Sequence, residues 1–458
     1  MALALRRVEV TDFLIKHPGG PTVLLFSHCR DATVAIHAGH RDPARTVLPI
    51  LRKYKIESKN PRDVLKKSLG IPQFLLPENF NALKDIPSFD FERKDCLLNK
   101  ARKLITAPGV QVEIRRLDHF FDLTIFALIA MYAVLLLLWL KQFVPWYVSV
   151  PAFAILRTSL AGGGHYYLHR GTSKLDILFD INYVGTASTA IDGHLLHHMY
   201  TQSDADVKRG FFGGMMGVPR LVRMQAHTLH KLGHVTSGML LKGFTFEFDS
   251  ENAENQGVYR KLRQMRERSW VSSINWRFWL LQALLRLELL AASSQGLLWS
   301  WLGQFIVSMW MNTFLVVSSH DFEDVKEEGC KDWAKFQLLN THDMSITGNC
   351  WLDCFLSAGL APHRAHHIFP YQRSGFANIY SNRFLEAASK QHGLPWALPK
   401  NLFTEILPDV FRQLMAPVCD PVSRKRTFCS LLEEHLSPSA WIYTFNYVVL
   451  GFTGVGSL

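Results

Sequence analysis

The chain is short of charge. Asp, Glu, Lys and Arg make up 19% of its 458 residues, whereas hydrophobic residues make up 48%. Soluble domains carry about 25% charged residues, so part of this chain is built to avoid water. Acidic residues are the scarcer sign: 39 Asp and Glu stand against 50 Lys and Arg, a formal net charge of +11. Much of that excess lies outside the apolar stretches. It reads as the positive-inside bias of cytosolic loops rather than as a nucleic-acid surface, so no nucleic-acid partner is expected. Cysteine is sparse as well. There are seven, an odd number, scattered except for Cys350 and Cys354. A disulfide framework is thereby excluded, and reduced cytosolic thiols are expected. No cleavable signal sequence is visible, because Met1 to Leu5 is too short for an apolar core. Internal repeats and low-complexity tracts are missing too.

Long apolar runs are what the sequence does have. Phe120 to Leu140 contains no Lys, Arg or Glu and only Asp122 near its start. Crossing a bilayer takes about 20 residues, so this run is long enough. A turn at Lys141 to Pro145 leads to a second run, Trp146 to Leu160, which ends in Gly162-Gly163-Gly164 and carries Arg157. A second hairpin is expected from Phe278 to Ser294 and Leu297 to Ser318, turning at Ser293-Ser294-Gln295-Gly296. Arg286 and Glu288 inside the third run are costly in lipid and are expected to face protein or a cavity. Arg93 to Arg116 and Arg170 to Arg277 are basic, while the two hairpin tips carry only Lys141. This asymmetry puts the N-terminus, the long middle segment and the C-terminus in the cytosol. Trp441 to Thr453 is apolar but too short to span; it is expected to pack on the protein or lie in the interface.

Histidine carries the chemistry. Three of the chain's groups are closely spaced: His165 with His169; His194, His197 and His198; and His363, His366 and His367. Residues three and four apart share one face of a helix, so each group aims its imidazoles in one direction. Pro362 stands where a helix tolerates proline, and Pro370 stops a short helix after His367. Asp192 is placed to cap the helix of the second group. Eight imidazoles converging on one place suit a transition metal such as iron, zinc or copper. His342, in Asn340-Thr341-His342-Asp343, either orients a ligand from behind or is an ordinary loop histidine. His227, His230 and His234 share the spacing but sit in a basic loop, and a solvated face is the expected reading.

Near the N-terminus, His17-Pro18-Gly19-Gly20 is followed by Asp31-Ala32-Thr33 and then His40. His37 competes with His40 as the second histidine of this pattern; the register from Asp31 favours His40.

Taken together, the histidine groups and the two hairpins resemble the membrane fatty acid desaturase and hydroxylase superfamily. Asp332-Trp333-Ala334-Lys335 with Gln337, and the ending His366-His367-Ile368-Phe369-Pro370, resemble its front-end branch. The N-terminal pattern is similar to the haem-binding motif of cytochrome b5, so the whole chain looks most like the animal cytochrome b5-related members of that branch. The resemblance implies two non-haem irons held by His165, His169, His194, His197, His198, His320, His363, His366 and His367. His320 enters because such proteins carry a further histidine just after the second hairpin. It also implies haem b clamped between His17 and His40, an iron closed to oxygen and fit for electron transfer.

The expected fold is mainly α. A four-span helical di-iron domain with a cytosolic helical cap follows a small α+β cytochrome b5-like domain. The expected divisions are 1–60 for the haem domain, 61–117 for a linker and pre-membrane segment, 118–400 for the desaturase domain and 401–458 for a cytosolic or interfacial tail. Spans fall near 120–140, 146–164, 278–294 and 297–318. Only Met1 to Lys16 precede His17, less than that haem fold normally takes, so either the chain is shortened or the haem pocket is incomplete.

The implied activity is desaturation of an acyl chain, on a CoA or phospholipid carrier, with dioxygen and electrons from NADH-cytochrome b5 reductase. The implied location is the endoplasmic reticulum membrane. Tyr166 replaces the Asp common in the first group, and His363 the commoner Gln in the third. These departures bear on substrate and bond position rather than on metal binding. A hydroxylase is the near alternative. A non-catalytic haem or metal protein is the alternative from another class.

Overall fold

The computed structural model describes residues 13, 17, 32–54, 89–91, 93, 95–170, 175–182, 197–202, 213–238, 275–317, 329–419, 426–428 and 430–453. They are mostly helical. Three short helices, α1 (Thr33–Gly39), α2 (Pro43–Thr46) and α3 (Leu48–Lys53), stand at the N-terminal side. Next come α4 (Leu97–Ile105), α5 (Pro108–Leu140) and α6 (Trp146–Arg170).

Helix α5 begins well before the apolar run and carries it out of the basic segment without a break. Among the described residues it is the one helix long and apolar enough to cross a membrane. Helix α6 runs on past the glycine triplet that ends the apolar run. It continues to Arg170 and so carries His165 and His169 on its last turns. The reason is packing. A side chain at Gly162 would strike the Ala358 backbone, one at Gly163 the side chain of Ile125, and one at Gly164 the backbone of Leu178 and Phe179. Four residues press against these three positions, and at Gly162 and Gly164, where the obstacle is backbone, only glycine leaves room.

The second hairpin is α7's neighbour. After α7 (Arg223–Gly233) come α8 (Asn275–Ser294) and α9 (Leu298–Val317). The two hairpin tips meet at one end of the bundle. Trp139 Nε1 donates to Ser300 Oγ at 3.1 Å, and Gln142 Nε2 donates to the Gln295 carbonyl at 3.2 Å. At about 1.5 Å per residue, the 19 steps from Trp146 put His165 about 28 Å from this end. Between the ends, Arg157 of α6 pairs with Glu288 of α8, and Tyr132 of α5 donates to Glu288 at 2.6 Å. Both charged side chains are buried, in line with the expectation that Glu288 faces protein. On the outer faces, Phe120, Leu123, Phe126, Met131, Val134 and Leu137 of α5 and Leu280, Leu284, Leu287 and Leu290 of α8 are exposed. Such stripes are what helices show to lipid rather than to water.

The remaining elements cap the opposite end. They are α10 (Trp333–Leu339), β1 (Met344–Ser345), α11 (Cys350–Leu356), α12 (His363–Ile368), α13 (Gly375–Gln391), β2 (Lys400–Asn401), α14 (Leu407–Leu414), α15 (Leu431–Leu436) and α16 (Pro438–Thr453). The strands form a two-residue parallel pair, Met344 with Lys400 and Ser345 with Asn401. Helix α16 packs along α7, so the apolar C-terminal run is a packed helix. This overturns the solvated face expected for His227, His230 and His234. Tyr447 covers the first two: its hydroxyl lies 2.6 Å from His227 Nδ1 and its carbonyl 2.6 Å from His230 Nδ1, while His234 is buried. Burial pushes His227 and His230 well below the usual imidazole range, His230 to about 4. No disulfide occurs among the described residues.

Candidate metal centre

Three segments bring histidines together at the end of the bundle away from the hairpin tips. The last turns of α6 supply His165 and His169, a helical turn at residues 197–200 supplies His197 and His198, and α12 supplies His363, His366 and His367. His194 and His320 lie outside the described residues.

The seven described imidazoles form two adjoining groups. Ligand nitrogens of His165, His169, His198 and His366 all lie within 4.8 Å of one another. His165 Nε2 is 3.2 Å from His169 Nε2 and 3.1 Å from His366 Nε2. Two nitrogens that each bind one ion at about 2 Å, roughly at right angles, stand about 3 Å apart. The spacing is therefore that of neighbouring ligands on one metal. In the second group, the rings of His197 and His363 lie with centroids 5.0 and 4.4 Å from that of His367. His198 joins the groups, its ring 4.3 Å from His367 and 4.4 Å from His366. An all-imidazole donor set fits iron, and two adjoining groups fit two ions.

Electrostatics favour the ligating form. Burial, reinforced by neighbouring imidazoles, pushes His363 and His366 well below the usual imidazole range. They are neutral at physiological pH, with a lone pair to offer a metal.

A second layer holds the imidazoles. Gln337 of α10 donates from Nε2 to the His198 carbonyl at 2.9 Å, which fixes the orientation of its amide. Its Oε1 then faces His367 Nδ1 at 3.2 Å and accepts the Thr201 hydroxyl at 2.8 Å. A proton on Nδ1 leaves the lone pair of His367 on Nε2. Trp333, one turn before Gln337 on the same face, donates to the Met199 carbonyl at 2.9 Å. Asp332 caps α10 through Ala334 and Lys335 and also accepts from the Leu97 backbone at 2.8 Å. The motif Asp332-Trp333-Ala334-Lys335 with Gln337 is thus the brace behind the second histidine group.

Asp343 plays the same part for the third group. It accepts the backbone N–H of Arg364 at 2.9 Å, in the first turn of α12, and Asn382 Nδ2 at 2.9 Å. Its neighbour His342 is buried and near enough to His363 to depress that imidazole's pKa. Tyr166 points away from solvent, donates to the Gly359 carbonyl at 2.8 Å and accepts from Asn378 at 3.0 Å.

At the N-terminal side, the ring centroids of His17 and His40 are 6.1 Å apart. One iron between two imidazoles, each nitrogen about 2 Å away, separates their centroids by roughly 6 Å. His40 Nδ1 donates to the Ile36 carbonyl at 3.0 Å, so Nε2 carries the lone pair. His37 is turned elsewhere, stacked on Phe91 at 4.7 Å.

Sequence reasoning found the seven described histidines. It did not assign Thr201, Asp343 or the tyrosine clamp on Gly359, because each acts across a large gap in sequence. Gln337 was visible as part of a motif, but not its work.

The apolar helices thus gather a candidate polyhistidine metal centre at one end of their bundle. A model of the fatty acid desaturase family matches residues 144–397, which cover all three described histidine groups, and the chain belongs to that family. Membership brings membrane association, an acyl-lipid substrate and oxygen-dependent oxidoreductase chemistry, and the histidine cluster is compatible with the family's di-iron centre. No curated protein and no solved structure matches the chain.

Proposed function

We propose that the protein is a membrane fatty acyl desaturase that introduces a double bond into a lipid acyl chain, fed by a fused haem domain. The observation that carries the reading is the convergence of imidazoles from three separate segments at one end of the helical bundle. The proposed ligands of two irons are His165, His169, His194, His197, His198, His320, His363, His366 and His367. The proposed ligands of haem b are His17 and His40. The irons supply dioxygen activation and hydrogen removal at an unactivated C–H bond, and the haem supplies single electrons.

The chain's own residues have definable tasks. Gln337 and Thr201 keep His367 in one tautomer and orientation. Asp343 holds the first turn of α12, and with it the third histidine group. The glycine triplet of α6 lets the surrounding segments close tightly below His165, which helps to exclude water. The substrate's reacting carbon pair must be held beside the centre, and the rigid ends of α6 and α12 offer a fixed frame for that.

Four spans, 120–140, 146–164, 278–294 and 297–318, are supported by the meeting of the hairpin tips and by the exposed leucines of α8. Both termini and all histidine groups then face the cytosolic side of the endoplasmic reticulum membrane, within reach of NADH-cytochrome b5 reductase. In this reading residues 1–60 form the haem domain, 61–117 lead to the membrane, 118–400 form the desaturase domain and 401–458 the tail.

The test is mass-spectrometric lipid profiling of cells with and without expression. New or depleted acyl double bonds that depend on His198 and His366 support desaturation. New hydroxyl groups in their place would make the protein a hydroxylase. An unchanged acyl profile, together with no NADH-dependent oxygen uptake, would leave a non-catalytic metal protein.

A further inference from the structure

The haem-domain reading leaves a question of route: how an electron at His40 reaches the imidazoles at the end of the bundle. We propose that Phe91 and Trp333 form the relay between the two centres; the inference rests on the reading of His17 and His40 as haem ligands.

The contacts run without a gap. His40 is the C-cap of helix α1, which carries His37 about one turn earlier. The His37 ring lies face to face with Phe91, centroids 4.7 Å apart and planes 9° from parallel. Phe91 meets Trp333 at 6.1 Å. Trp333 donates from Nε1 to the Met199 carbonyl at 2.9 Å, on the backbone that bears His198. Electron tunnelling is faster through packed and hydrogen-bonded atoms than across empty space, and this path has both. Beyond the half-buried His37 the path is dry: Phe91, Trp333 and Met199 belong to one buried cluster with Val34 and Ala38 of α1.

The mutual position of the two ends is fixed. Arg102 of α4 donates to the carbonyls of both His37 and His40, the latter at 2.7 Å. One guanidinium thus ties the end of α1 to a helix that packs in the same cluster as α10 and α13. A haem domain on a loose tether would not need such a clasp.

The ordinary explanation for buried aromatic residues is packing. It predicts that an aliphatic residue of similar volume at position 91 costs some stability and nothing else. The relay predicts a specific kinetic loss. Each step moves one electron from ferrous haem to the histidine centre and returns the haem to the ferric state. An NADH-dependent flavoprotein reductase restores the ferrous state, and two such steps serve one turnover.

The experiment uses the full purified chain. The haem is reduced with NADH and reductase without air, the protein is mixed with oxygenated buffer, and reoxidation is followed in the haem absorption bands. His198→Ala supplies the background rate of haem oxidation by oxygen alone. Phe91→Leu and Trp333→Phe should slow the reoxidation above that background several-fold. In Phe91→Leu the haem spectrum, haem potential and non-haem iron content should stay at wild-type values, and Phe91→Tyr should restore the rate. Phe91→Leu with intact haem and iron and a wild-type rate would overturn the relay. A wild-type chain with no haem bands would overturn the haem reading itself, and the relay with it. The spectrum taken before mixing separates these two failures.

Discussion

Gln337→Leu tests how much of the metal centre is held from behind. The substitution keeps the volume and removes every polar contact of the amide. The His198 carbonyl loses its donor at 2.9 Å, and the Thr201 hydroxyl and His367 Nδ1 lose the oxygen they share. A buried polar group left without its partner costs about 1–3 kcal/mol. Thr201 still reaches the His197 carbonyl at 2.6 Å, so its loss is the smallest of the three. His367 Nδ1 loses one of its two partners, so that only Thr201 at 3.0 Å still holds its tautomer and orientation. Outer partners of metal-bound histidines are worth about 10- to 100-fold in metal affinity or activity, or about 1.4–2.7 kcal/mol. The two estimates agree. Competition with a ferrous chelator, followed by its colour, should show iron leaving the variant about 10- to 100-fold more readily. Gln337→Glu keeps an oxygen for His367 but faces the His198 carbonyl with a second oxygen, so it should fall between. Iron affinity of Gln337→Leu equal to wild type would refute the claim that α10 orients the ligands.

Further predictions follow from packing, charge and placement. Gly164→Ala drives a methyl into the Leu178–Phe179 backbone and should prevent accumulation of folded protein, whereas Gly163→Ala meets only the Ile125 side chain and should be milder; detergent thermal melts and expression levels report both. Arg157→Met or Glu288→Gln alone breaks the buried pair and should destabilise by about 3–5 kcal/mol, while Arg157→Met combined with Glu288→Leu should recover much of the loss. Melts in which the double variant is worse than both singles would contradict this. Single cysteines at Lys335 and Lys390 should react with a membrane-impermeant reagent applied to sealed microsomes, and one at Lys141 should not; protection at Lys335 would overturn the shared cytosolic face.

What could be read from the sequence followed local periodicity. The histidines three and four apart predicted shared helical faces, and α12 does aim His363, His366 and His367 at the other groups. The apolar runs predicted four long helices, and their ends fall close to the expected turns, as at Ser293 to Gly296. What escaped depends on distant partners. The glycine triplet was legible only as the end of the apolar run; its purpose is set by Ala358, Ile125 and Phe179, which no local pattern connects to it. His227 and His230 looked solvated because the residue that covers them, Tyr447, lies more than two hundred positions along the chain. The role of Gln337 needed the backbone of His198 to be visible behind it.

The central claim is that these histidines hold two irons. Elemental analysis of the purified chain, with haem iron subtracted from the haem spectrum, tests it most directly. The account predicts close to two non-haem irons per chain, with a marked loss in His198→Ala, whose imidazole adjoins both groups, and in His366→Ala. Full iron loading in both variants, or a wild-type chain that binds no iron beyond haem, would contradict it.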